Sequence, residues 1–329
     1  MQKGKKPMSY IMKISIIIPA YNAATFLQRA LNSIYKQSLN SLEIIIVNDC
    51  SADDTLKIAE ANQQQYDRIV IVSHTNNQGL ATSRNTALKV AKGKYIFFLD
   101  ADDEIINSNA LEILYNNADK NQVEVVLFDF YKKYPNKAST HKTLKVPNNL
   151  LLQNIEQRKQ LLKAGVVVFN KLYLREFLLK EKILFHDGLI FEDIPFTWQV
   201  LTKAKSIFYL KQEFYIYWQN KNSIMNSTFP DSKVQSGLQV MQLVYSYLLA
   251  NHMYVEYKYT YELKLLTTIA YLFKKSQSKS LQLFNTMADH LAIVNLNDYK
   301  KSLNIYKYYK YKCFIQKRYT IYKLFFLWI

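Results

Sequence analysis

The sequence predicts an α/β fold, with a mostly parallel sheet over residues 13–130 followed by a mostly helical C-terminal region. Up to Phe130, short apolar runs alternate with amphipathic stretches; after Tyr131 that alternation gives way to polar segments and then to helical spacing. The chain has 329 residues and is 49% hydrophobic, enough for one large domain and a smaller appended one, and its six Gly and six Pro leave little material for flexible linkers.

In chain order, the strands are expected at Ile14–Ile18, Leu42–Val47, Ile69–Val72, Tyr95–Leu99 and Val123–Phe130. Helices are expected between them at Ala24–Tyr35, Asp54–Gln65, Leu80–Ala91 and Asn109–Lys120, with Asp53 or Asp54 and Ser108 as caps. This half reads as a Rossmann-like α/β domain. Helical spacing resumes near Ile155, Asp193, Lys233 and Tyr257. The expected division is 13–130, 131–229 and 230–329, the last a helical region with a basic aromatic tail.

Composition narrows the function classes. Cys50 and Cys313 have neither metal-ligand nor redox spacing and predict free thiols in a reducing compartment. The apolar run after Lys3, Lys5, Lys6 and Lys13 is short and ends in Pro19, so it reads as a strand rather than a leader. No run of about 18 apolar residues occurs, which argues against a spanning helix and for a cytoplasmic protein. The net charge of +17 is uneven. Residues 1–130 hold 13 Lys and Arg against 14 Asp and Glu, leaving 30 against 12 in the remainder. The five histidines are scattered without zinc spacing, and no phosphate-cradling glycine loop appears.

The chemistry-bearing residues sit where strands end. Tyr95–Leu99 runs straight into Asp100, Asp102 and Asp103, carboxylates that repel one another unless a cation neutralises them. Mg²⁺ or Mn²⁺ binds through one or two carboxylates plus substrate phosphate oxygens, and ligands in open α/β sheets lie at the carboxyl ends of strands. Asp-x-Asp also fits a solvated turn or cap. Three further loops converge on the same edge: Pro19-Ala-Tyr21-Asn22, Asn48-Asp49-Cys50-Ser51-Ala-Asp53-Asp54-Thr55, and Asn77-Gln-Gly79-Leu80 leading to Arg84-Asn85. Together they offer an aromatic ring, a carboxylate and an Arg, the groups one nucleoside diphosphate requires. Each residue also has a structural reading: Pro19 as a strand terminator, Tyr21 as packing, Asp49 as a turn acceptor, Gly79 as relief of backbone strain.

These four motifs, in this order, resemble glycosyltransferase family 2 of the GT-A fold over residues 13–130. Two positions depart from the family pattern: Cys50 stands where the family usually has Gly, and Thr82-Ser83 replaces smaller residues before Arg84. The resemblance implies an inverting, metal-dependent transfer of a hexose or N-acetylhexosamine from a UDP-sugar to a saccharide or lipid-linked saccharide acceptor, in capsule, exopolysaccharide or lipopolysaccharide synthesis. It implies that Pro19, Tyr21 and Asp49 hold the base, with Asp49 accepting from a uracil ring nitrogen. Arg84 would lie near base and phosphates, Asp100 would contact the ribose, and Asp102 would bind Mn²⁺ or Mg²⁺.

An inverting transfer also needs a base for the acceptor hydroxyl. The Glu192-Asp193 pair, set among Phe191, Ile194 and Phe196, resembles the family's acidic pair, which implies Asp193 as base with Glu192 in support; the same residues fit a helix N-terminus preceding Pro195. Asn170-Lys171-Leu172-Tyr173 resembles a segment that begins a helix beside the acceptor site. Lys171 is a candidate phosphate or acceptor contact, with a solvated or salt-bridged Lys as the alternative. Trp198 and Trp218 are candidates for stacking on sugar rings, with core packing as the alternative. Tyr217–Asn220 and Ser223–Met225 resemble a later stretch of the same relatives.

From Tyr299 to Ile329 there is no Asp or Glu, eight Lys or Arg, and many aromatic residues, ending in Leu324–Ile329. Such a tail suits peripheral attachment to the anionic inner face of the cytoplasmic membrane, against the alternative of an ordinary solvated helix face. Nucleic-acid binding would use the basic aromatic stretches but leaves Asp100–Asp103 unexplained. A non-catalytic nucleotide-sugar-binding module stays open from sequence, as does the oligomeric state. A nucleotidyltransferase is disfavoured because Pro19–Ala24 is not a glycine-rich loop.

Overall fold

A computed structural model describes residues 12–134, 137–143, 150–152, 154–165, 167–219, 228–300, 303 and 305–320. The chain forms two compact units. The first comprises Met1–Gly188 and Phe196–Asn220, and the second Leu189–Pro195 and Lys221–Ile329.

The first unit begins with β1 (Ile14–Ala20), α1 (Leu27–Tyr35), β2 (Leu42–Asn48), α2 (Thr55–Gln65), β3 (Ile69–Ser73), α3 (Gly79–Val90), β4 (Tyr95–Phe98), β5 (Glu104–Ile105) and α4 (Ala110–Lys120). Strands β1 and β2 are buried along their whole lengths, which is why they read as unbroken apolar runs rather than alternating ones. In α1 the buried side chains Leu27, Ala30, Leu31 and Ile34 fall on one stripe at helical spacing. One cap expectation is corrected: Asn109, not Ser108, precedes α4, and it makes no side-chain capping bond. Before α2 the side chain of Asp53, not that of Asp54, accepts the Thr55 N–H, at 3.0 Å. Ser108 instead accepts the Ser38 N–H at its carbonyl.

The chain continues through β6 (Val125–Tyr134), β7 (Lys137–Lys142), β8 (Leu150–Leu152), α5 (Ile155–Ala164), β9 (Lys171–Leu174), α6 (Arg175–Lys180), α7 (Asp193–Lys203) and β10 (Ile207–Trp218). The sheet order is β3-β2-β1-β4-β9-β6-β10-β5, with β7 on β6 and β8 on β10. Strand β1 pairs in parallel with both β2 and β4, so the strand order reverses at β1 and the crevice beyond its end is where ligands bind in such sheets.

Sheet structure therefore extends past Phe130, into the stretch expected to be mainly helical. Lys171-Leu172-Tyr173 does not begin a helix; it forms β9, antiparallel to both β4 and β6, and the helix starts at Arg175. Four residues of mixed polarity carry no period that separates strand from helix. Strand β10 was hidden for another reason. Its pairing with β6 shifts register between Leu210 and Glu213 and again between Glu213 and Tyr215, which breaks the alternation around Lys211-Gln212-Glu213.

The second unit holds α8 (Asp231–Ala250), α9 (Tyr254–Lys275), α10 (Leu281–His290), a 3-10 turn (Leu296–Tyr299) and α11 (Ile305–Ile315). Glu262 lies inside α9, its carboxylate accepting from the Tyr254 hydroxyl at 2.7 Å and the Tyr299 hydroxyl at 2.5 Å. Helix α11 is part of this packing: Phe314 is fully buried and stacks on Phe284 at 4.5 Å, and Tyr311 and Cys313 are buried. Among the described residues, no helix is long and apolar enough to cross a membrane.

Candidate active site

The loops after β1 and β2 are stitched together by their own polar residues. Asp49 N–H donates to the Ala20 carbonyl at 2.9 Å, Asn22 N–H to Ser51 Oγ at 3.0 Å, and Ala52 N–H to Asn22 Oδ1 at 2.9 Å. Ala23 N–H donates to the buried Thr55 hydroxyl at 2.7 Å and Ala24 N–H to Asp53 Oδ2 at 3.0 Å. Much of the Asn-Asp-x-Ser-x-Asp-x-Thr spacing thus serves to fold one loop onto the other. Pro19 is a buried residue of β1, while Tyr21 is 53% exposed and presents its ring at the edge of this pair of loops.

Asp49 is buried and accepts three hydrogen bonds. Gln78 N–H and Gly79 N–H, at the start of α3, donate from 2.8 and 2.7 Å, and His74 Nδ1 lies 2.7 Å away. The carboxylate therefore occupies a helix N-terminus, where exposed N–H groups and the helix dipole favour negative charge. Gly79 has φ +87, a left-handed conformation that glycine adopts without strain.

Arg84 is buried and pairs through Nη2 with Asp100 Oδ1 at 2.8 Å, its guanidinium 5.2 Å from the centre of the Phe185 ring. Arg84 thus orients Asp100 at the end of β4. The adjoining residues of α3 hold a more distant loop: the Asn85 side chain donates to the Phe185 carbonyl and accepts the Phe185 N–H, and the Thr82 hydroxyl donates to Asp187 at 2.9 Å. Thr82, one of the departures from the family pattern, has a structural partner here.

The three carboxylates after β4 divide by environment. Asp100 and Asp102 are partly exposed, whereas Asp103 is fully buried. Asp103 accepts from the Tyr215 hydroxyl at 2.7 Å and from the Trp218 N–H at 2.8 Å. The same Tyr215 hydroxyl accepts the Asp100 N–H at 3.2 Å, and Arg29 donates to the Asp102 carbonyl at 2.5 Å. Asp103 is raised well above the ordinary carboxylate range, first by burial and then by the negative charges of Asp100 and Asp102, against the lowering effect of its two donors. Strand β10, which the sequence did not reveal, is thus what braces this turn. The Trp218 indole N–H donates to Glu104 at 2.6 Å, and the Arg29 guanidinium lies 4.3 Å from the Trp218 ring centre.

Among the described residues, no group of three or more His, Cys, Asp or Glu side chains is disposed to hold a metal ion. The residues present nonetheless fit a hard cation of the kind that shares its coordination with substrate phosphates. Two partly exposed carboxylates stand on one turn, and their negative field is strong enough to disturb a third.

Glu192 and Asp193 belong to the other unit. Glu192 is buried and Asp193, in the first turn of α7, is partly exposed. The preceding Phe191 has φ +70 and accepts the Ile194 N–H, while the Ile190 N–H donates to Ser236 Oγ of α8 at 2.7 Å. Lys264 of α9 is partly buried; desolvation lowers its pKa and the charge of Asp193 opposes that shift.

Two candidate contacts are corrected. Trp198 is fully buried, so its ring offers no face to a sugar. Lys171 is 1% exposed, and its ammonium donates to the Val167 carbonyl and to Asn170 Oδ1, fastening the turn before β9. Of the later motif, Tyr217, Trp218 and Gln219 are described, whereas Asn220 and Ser223–Met225 lie outside the described residues, as do Lys3, Lys5, Lys6 and Leu324–Ile329.

A strand order reversing at β1, with loops and paired acids gathered at that edge, defines an α/β protein of the GT-A type. The family model for glycosyl transferase family 2 matches residues 15–181, and the chain belongs to that family. It is 34% identical over 217 residues to the uncharacterized glycosyltransferase EpsJ of Bacillus subtilis, covering 64% of this chain and 62% of that protein. It is 32% identical over 241 residues to the cholesterol galactosyltransferase of Borreliella burgdorferi, covering 70% of this chain and 66% of that one. The crystal structure of S. aureus TarS 1-349 in complex with UDP-GlcNAc superposes with a TM-score of 0.72 at 22% identity, over 95% of this chain and 90% of that one, a likeness of fold.

Proposed function

We propose that the protein is an inverting glycosyltransferase that moves a hexose or N-acetylhexosamine from a UDP-sugar to a saccharide or lipid-linked saccharide acceptor in cell-surface polysaccharide synthesis. Family membership supports the reaction class. The likeness to a protein crystallised with UDP-GlcNAc supports a uridine donor. The observation that carries the reading is the Arg84–Asp100 pair beside Asp102 on a braced turn, one edge of the sheet from the capped Asp49.

In this reading the Tyr21 ring packs on the base and Asp49 accepts its ring N–H. Asp100, held by Arg84, hydrogen-bonds the ribose, and Asp102 holds the metal. A bound Mn²⁺ or Mg²⁺ supplies Lewis-acid stabilisation of charge on the departing diphosphate. Asp193 accepts the proton of the attacking hydroxyl, and Glu192 supports it. Lys264 of α9 interacts electrostatically with Asp193. The enzyme works at the inner face of the cytoplasmic membrane, with the exposed Lys307, Lys317 and Arg318 meeting anionic headgroups.

The test is nucleotide release from a panel of UDP-, GDP- and dTDP-sugars, each with a saccharide acceptor and with or without Mn²⁺. Turnover of a UDP-hexose or UDP-N-acetylhexosamine that disappears with chelator is the expected result. Binding of UDP without turnover on any acceptor would instead favour a non-catalytic module.

A further inference from the structure

His74 reaches Asp49 from the end of β3, and no part of the proposed function uses it. A carboxylate offers about four lone-pair sites. Gln78 N–H and His74 share Oδ1, and Gly79 N–H takes one site on Oδ2. One site on Oδ2 is left without a donor among the described residues. Because an ionised carboxylate only accepts, Nδ1 of His74 carries the proton. The ring's other nitrogen, Nε2, lies 3.0 Å from the hydroxyl of Thr86 on α3, which fixes the plane of the imidazole. The His74 side chain is 7% exposed and that of Asp49 4%, so the two groups are buried together.

We propose that His74 is a positioning residue for base selection. By filling the second site on Oδ1 from a ring pinned at both nitrogens, it restricts Asp49 to a single acceptor direction on Oδ2. A pyrimidine whose ring nitrogen carries a proton, as in uracil, meets that direction. One whose ring nitrogen only accepts, or is alkylated, meets a second acceptor or a clash. The inference rests on the reading of Asp49 as the uridine contact. Removing His74 leaves the helix cap to Gln78 and Gly79 in place but opens Oδ1 to other donors and lets the carboxylate tilt.

The test measures the binding of UDP and of N3-methyluridine diphosphate to the full chain by calorimetry, in the wild type and in His74→Ala, His74→Asn and Thr86→Val. A hydrogen bond to a charged group predicts a wild-type preference for UDP of about tenfold or more. The preference is expected to fall to about threefold or less in His74→Ala, as one such bond loses its direction. In His74→Asn, whose amide nitrogen stands in for Nδ1, it should be largely retained, with Thr86→Val between the two. A wild-type preference surviving in His74→Ala, or equal weakening of both ligands in His74→Ala and His74→Asn, would overturn the positioning role while leaving the uridine reading intact. A wild type that does not discriminate between the ligands would remove the uridine reading, and this inference with it.

Discussion

Asp53 and Gly93 show how single residues hold the loops and strands that carry the site. Burial pulls the Asp53 pKa upward, but the Thr55 hydroxyl and the N–H groups of Ala24 and Thr55 outweigh it, and the net shift is downward. The stability Asp53 contributes is therefore fully present above its unfolded value of about 3.9 and is lost as pH falls through the lower folded value. Thermal unfolding between pH 2 and 6 should show the wild type above Asp53→Asn at the upper end, with the gap narrowing on acidification; a gap that stays constant would exclude this linkage. Gly93 lies on the approach to β4, where an added Cβ would stand 2.3 Å from the Ser15 nitrogen and 2.7 Å from the Ile14 carbonyl carbon. Its N–H also donates to Ser15 Oγ at 2.8 Å, beside the buried Glu43. Backbone atoms of β1 cannot yield as a flexible side chain does, so Gly93→Ala should cost about 3 kcal/mol or more, read as a loss of denaturant midpoint.

At the scale of elements, sequence and structure agree best over the first 120 residues. Strands β1 to β4 and helices α1 to α4 lie within a few residues of their expected positions, because each pairs an apolar run with a clear period. Strands β9 and β10 escaped notice because one is four residues of mixed polarity and the other carries two register shifts. The partners of Asp103 escaped with them, since Tyr215 and Trp218 stand 112 and 115 positions along the chain. His74 read as a scattered histidine for the same reason: nothing local links it to Asp49. Cys50 has φ +59, which explains why glycine suits that position and what the departure asks of the backbone. The tail was legible as charge but not as packing, because Tyr311 and Phe314 of α11 are core residues. Deleting α11 would therefore unfold its surroundings and say little about lipid. The sharper test reverses Lys307 and Arg318 to Glu together, sparing Lys317, whose ammonium pairs with Asp289 at 2.7 Å. Flotation with vesicles containing phosphatidylserine should fall by about tenfold or more while the melting temperature holds, given about 1 kcal/mol per basic residue near such a surface. Undiminished flotation would leave these residues as an ordinary solvated face.

For the molecule as a whole, the proposed chemistry divides by role: Asp100 and Asp102 serve the donor, Glu192 and Asp193 the acceptor. That division predicts separable defects. Asp102 serves donor binding, so Asp102→Ala should weaken UDP affinity measured with Mn²⁺ and leave metal-free UDP affinity almost unchanged. Asp193 touches only the acceptor in this reading, so Asp193→Asn should keep both donor and metal affinity and lower kcat by about a hundredfold or more, the usual contribution of a general base. The asparagine keeps the shape of the side chain in the first turn of α7, which separates loss of the base from loss of the fold. Its neighbour gives a third arm. Removing the cation near Asp193 in Lys264→Met should make the carboxylate harder to ionise and move the acidic limb of the kcat profile to higher pH. Normal transfer by Asp193→Asn would move the base to another residue while leaving the donor assignments intact, and an unshifted acidic limb in Lys264→Met would separate Lys264 from the chemistry.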